Sequence, residues 1–84
     1  MKYTIDLNNI ETREAFHEKV AQTLPVPEYY GKNLDALFDF ITEKADDIQI
    51  SLVNCEDFRE KNWEYFNLIE TVLEDSKIIY DIED

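Results

Sequence analysis

Basic residues are scarce in this chain. Eight lysines and arginines stand against twenty aspartates and glutamates, for a net charge of −12. That sign argues against direct binding of nucleic acid and against an anionic membrane surface, since both call for positive charge. Cysteine occurs once, at Cys55, so no internal disulfide can form and the reducing cytoplasm is the expected compartment. Glycine also occurs once, at Gly31, and proline twice, at Pro25 and Pro27. So little linker material leaves one domain, 1–84, as the expected organisation. The lone histidine, His17, has no second histidine or cysteine at ligand spacing, so no metal site is expected. Neither a calcium loop nor a glycine-rich phosphate loop occurs, and no cofactor is expected. No apolar run is long enough for a signal peptide or a membrane span, the opening MKYTIDLNN included.

What the chain does have is material for a core. Its hydrophobic fraction is 44%, with five tyrosines, five phenylalanines and one tryptophan. Tyr3 to Leu7 alternates apolar and polar and reads as a strand, broken by Asn8 and Asn9. Thr12 is a suitable N-cap for a first helix to about Thr23, with Phe16, Val20 and Leu24 at helical spacing. Pro25 and Pro27 end it, because each disfavours helical geometry in the residue before it. A second helix is expected from Asn33 to about Ala45. Ile48 to Val53, rich in branched residues, is a second strand. Helical spacing returns near Asp57–Lys61 and Trp63–Glu74, with Asn62 as the interruption. Phe58 and Trp63 are the expected anchors there, and Phe66, Ile69, Val72 and Leu73 the buried stripe. Ile78 to Ile82 closes the chain as a third strand. Helical crossovers between strands favour parallel pairing. The expected fold is therefore α/β, a small three-stranded parallel sheet with about four helices packed on it.

The organising stretch is Pro27 to Asp39. Asn33 is placed to cap the second helix, and Gly31 is expected at a left-handed turn before it. Leu34, Leu37, Ile41 and Ala45 fall on one face of that helix. Asp35, Asp39, Thr42 and Asp46 fall on the opposite face, with Phe38 at the border. Aspartates one turn apart repel by roughly 0.2–0.5 kcal/mol, so the acidic stripe is not there for stability. A solvated surface can look like this too. Aromatics beside the carboxylates, Tyr29 and Phe38, point instead to an interface centre.

Leu24 to Asp39 reads LPVPEYYGKNLDALFD. This segment, and PEYYGKNLDAL within it, resembles the barstar-like ribonuclease inhibitors, and the rest of the chain agrees in length and element order. The resemblance implies a protein that performs no chemistry. It implies an acidic helix and preceding loop that enter the active site of a basic, barnase-type ribonuclease by imitating RNA phosphates. The implied partner-binding residues are Tyr29, Gly31, Asn33, Asp35, Phe38, Asp39, Thr42 and a late-helix glutamate, Glu74 or Glu70, with Tyr30 and Asp46 in support. Tyr29 is expected to touch the partner and Tyr30 to hold the loop. Phe38 departs from the family pattern, where tryptophan is usual, and Glu43-Lys44 stands where the family carries glycine and an aromatic. Two exposed aspartates one turn apart do not resemble a hydrolytic carboxylate pair, which needs a cleft that drives their pKa values apart. Two rival functions use the same acidic face: immunity against another nuclease toxin, such as a DNase or delivered effector, and an acidic adaptor for a basic protein.

Overall fold

A computed structural model describes residues 1–84. The elements are β1 (Lys2–Asp6), α1 (Arg13–Thr23), α2 (Leu34–Lys44), β2 (Gln49–Val53), α3 (Glu56–Lys61), α4 (Trp63–Ser76) and β3 (Ile79–Ile82). The three strands form one parallel sheet in the order β1-β2-β3. Each crossover between strands is helical, as parallel pairing requires. Type and order of every element agree with the sequence pattern, and boundaries differ by one or two residues.

Local chemistry explains the boundaries. Thr12 caps α1 by accepting from the Ala15 N–H at 3.1 Å. Asn62, at φ −137° and ψ 48°, breaks the helical path between α3 and α4, and its side chain donates to the Glu11 carbonyl at 2.9 Å. Lys77 ends α4 in the left-handed region, at φ 66°.

Strand register decides where the core sits. Tyr3, Ile50 and Tyr80 form one row across the sheet, and Ile5, Leu52 and Ile82 the next. Both rows point to the same face. On that face Ile5, Ile50 and Leu52 join Phe16, Val20, Leu37, Phe58, Phe66 and Ile69 in one continuous core of 18 buried residues. The opposite face is exposed at Lys2, Thr4, Gln49, Ile79 and Asp81, where Lys2 reaches Asp81 at 4.0 Å across β2. One open face is unusual for a parallel sheet.

Three expectations need correction. Trp63 does not anchor the core; it is 60% exposed, and Phe58 alone fills that role between Phe16 and Phe66. On α2, Phe40 is buried beside Leu37 and Ile41, while Leu34 and Ala45 are only partly covered. That helix packs on α4 as well as on the core, so its buried face is wider than a simple stripe. Gly31 does not take a positive φ; Lys32 does, at 53°.

Candidate functional site

The site begins with the segment between α1 and α2. The Tyr30 N–H donates to the Pro27 carbonyl at 3.0 Å, closing a turn. That turn throws the two tyrosines apart. Tyr29 is 88% exposed, while Tyr30 is buried. Asn33 then fastens loop to helix. Its side-chain oxygen accepts from the Ala36 N–H at 2.8 Å, and its amide nitrogen donates to the Gly31 carbonyl at 3.3 Å. The need for glycine at position 31 follows from this closure. An added Cβ would lie 3.2 Å from the Asn33 amide nitrogen and 3.5 Å from the Ala36 Cβ. With no positive φ at Gly31, a side chain there would meet crowding of the Asn33 cap rather than backbone strain.

Loop and helix enclose a cleft of about 440 Å³ lined by Pro27, Tyr29, Tyr30, Gly31, Ala36, Asp39, Phe40 and Glu43. Its walls are largely aromatic and aliphatic, and two carboxylates stand among them. At 100° per residue, Asp35, Asp39 and Thr42 share the neighbouring face of α2; these three are exposed, as is Asp46, which lies beyond the helix end. Phe38 is half-buried on the flank away from the cleft. The structure thus gathers Tyr29, Tyr30, Gly31 and Asp39 around one cleft, while Asp35, Thr42 and Asp46 are not among its lining residues. Glu70 and Glu74 do not line it. Glu74 instead accepts from the Tyr80 hydroxyl at 3.3 Å.

The acidic face carries no internal compensation. The chain's three ion pairs, Lys2–Asp81, Arg59–Asp84 and Lys61–Glu11, all lie elsewhere. Lys44 is nine residues beyond Asp35, about 180° around the helix, and it turns away half-buried. Asp46 follows the C-cap Ala45, beyond the end of the helix where partial negative charge gathers. Asp35, in the first turn, is favoured by the helix dipole, whereas Asp39 and Asp46 are not, and none of the three is ion-paired.

Three further residues escaped sequence reasoning. Phe40 and Glu43 complete the cleft, and Glu43 lies one turn beyond Asp39, a spacing that was legible. His17 is the third. It is 1% exposed, with Nδ1 2.7 Å from the Tyr30 hydroxyl and Nε2 2.6 Å from the Tyr65 hydroxyl. Burial pushes its pKa below the ordinary histidine value, against the opposing field of Glu14. Burial likewise holds the Tyr30 hydroxyl well above the usual tyrosine range. No chemistry attaches to Cys55, a buried thiol pushed up to about 11, chiefly by burial. No group of acidic, histidine and cysteine side chains is arranged to hold a metal ion. No helix is long and apolar enough to cross a membrane.

A family model described as Barstar (barnase inhibitor) matches residues 1–83. The chain belongs to the barstar family. Barstar-family proteins are inhibitors rather than enzymes, and a parallel three-stranded sheet with four helices is consistent with their fold. A Bacillus subtilis (strain 168) protein named "Putative ribonuclease inhibitor YrdF" is similar, at 38% identity over 66 residues. That match covers 79% of this barstar-family chain and 65% of the relative, so the chain spans just under two thirds of the relative's length.

Proposed function

We propose that this protein inhibits a barnase-type ribonuclease by occlusion, its acidic helix face standing in for RNA phosphates. The observation that carries the reading is the unpaired acidic face of α2 beside an aromatic cleft. A ribonuclease gathers cations to hold a phosphodiester and stabilise its transition state. Fixed carboxylates satisfy those cations through charge-assisted bonds, often bidentate to arginine. In this reading Asp39 fills the phosphate position, assisted by Asp35. Tyr29, Gly31, Asn33, Phe38 and Thr42 shape the contact, Tyr30 supports it, and Asp46 and a glutamate of α4, Glu74 or Glu70, widen the negative field. The inhibitor works in the cytoplasm of a cell that makes its own nuclease, as the antidote of a toxin–antitoxin pair.

Glu43 favours a second reading. It adds a carboxylate to the cleft where the family pattern differs, which suits a nuclease toxin with a different arrangement of cations. One experiment addresses both. The purified chain is titrated into a barnase-type ribonuclease and, separately, a cationic DNase, with cleavage as the readout. Loss of ribonuclease activity at stoichiometric inhibitor, restored by Asp39→Ala, is the expected result. Full ribonuclease activity at excess inhibitor, with the DNase blocked, would select the second reading. Turnover of RNA by the chain alone would sink both.

A further inference from the structure

His17 joins three segments that are distant in sequence: α1, the loop entering α2, and α4. One of its partners, Tyr30, is also a wall of the cleft that holds Asp39. A neutral imidazole offers one N–H and one bare nitrogen, so the two tyrosines cannot be held in the same sense. The Tyr30 hydroxyl is buried and bonds to nothing else. Its proton has only Nδ1 to go to. The Tyr65 hydroxyl is half-buried, so it can give its own proton to water while accepting from Nε2–H.

We propose that His17 is a positioning residue for the acidic face: as the Nε2–H tautomer it holds Tyr30 against the cleft, and protonation at Nδ1 releases that wall while the bond to α4 stays. The proposal rests on the reading of this cleft as the partner site. Once Nδ1 is protonated it can only donate, so the Tyr30 hydroxyl must turn to accept and its own proton, with no second acceptor, is left unpaired, whereas Nε2 donates in either state. The groups facing the ring are Tyr30 from the loop, Tyr65 from α4 and, on α1 itself, Glu14 and the uncharged Phe16. Arg13 lies over the Tyr65 ring, 4.6 Å from its centroid, and its positive charge opposes an imidazolium. The wall is thus tightest in neutral solution.

The test has an arm that needs no partner. With one histidine in the chain, ring-nitrogen NMR is unambiguous, and a bare Nδ1 with a protonated Nε2 is expected. A protonated Nδ1 in the neutral ring would overturn the assignment. Hydrogen exchange then follows the Tyr30 amide against the Phe66 amide of α4 from about pH 7.5 downward until the ring-nitrogen signal reports the imidazolium. Tyr30 protection should fall at least about tenfold more than Phe66 protection as His17 titrates. His17→Gln, whose side chain accepts and donates without titrating, should abolish the difference, and Tyr65→Phe should keep it. If His17→Gln does not fold, Tyr30→Phe decides in its place, because it too should abolish the difference. Equal loss at both amides, or none at Tyr30, refutes the proposal. With barnase as probe, dissociation should quicken about tenfold over the same range for the native chain and not for His17→Gln. Absence of barnase binding would count against the proposed function alone, because the exchange arm stands without it.

Discussion

Asp39→Ala separates binding from folding by moving them in opposite directions. Asp39 sits one turn after Asp35 and one turn before Glu43, and no cation compensates it. Two like-charge pairs at that spacing oppose folding by roughly 0.2–0.5 kcal/mol each. The residue lies past the first turn of α2, so the helix dipole returns little. Alanine also has the higher helix propensity, by about 0.5 kcal/mol. The variant should therefore be more stable by about 1 kcal/mol, which for a chain of this size raises Tm by about 4–8 °C. Binding should move the other way. Truncating one partner of a buried charge pair weakens association by about 2–5 kcal/mol or more, a general rule that itself draws on the barnase–barstar complex, and that range is about 30- to 4,000-fold in Kd. Thermal melts and titration calorimetry on the same preparation measure both. A variant that melts lower and binds as before would refute the reasoning, since Asp39 would then be a structural residue.

Other perturbations test other parts of the argument. Tyr29→Ala should leave stability within about 0.5 kcal/mol, because the ring is almost wholly exposed, yet weaken partner binding by about 1 kcal/mol or more. Gly31→Ala should destabilise by up to about 1 kcal/mol through crowding of the Asn33 cap, while Lys32→Gly should be neutral or mildly stabilising; denaturant midpoints rank the two. Stability should also fall in mild acid. The folded pKa of His17 lies below its unfolded value near 6.5, so the unfolded chain binds the proton first. The contribution is whole above about pH 6.5 and is lost as pH drops through the folded value, and His17→Gln should flatten that part of a urea-midpoint profile. Association with a cationic nuclease should slow steeply with salt while dissociation changes little, as stopped-flow mixing would show.

Agreement between sequence and structure is closest where the signal is local. Thr12 and Asn33 cap the helices expected of them, because a cap needs only the next three residues. The departures share a different cause. Nothing near Trp63 tells that its face of α4 is left open to solvent, and nothing near Gly31 tells that the left-handed turn falls to Lys32. Phe40 falls outside the expected stripe because a periodic stripe describes a helix resting on one surface, and α2 rests on two.

Taken alone, the order of residues determined which segments coil and which extend, that the strands run parallel, and that one helix would carry a row of carboxylates. Those outcomes depend on periodicity, on the helical length of the connections and on neighbours within a turn. Tertiary packing decided the rest: an aromatic cleft at Asp39, and a histidine that reaches 13 residues forward to Tyr30 and 48 to Tyr65. A hydrogen bond across that distance forms only after the core has brought its ends together, so no local pattern can announce it.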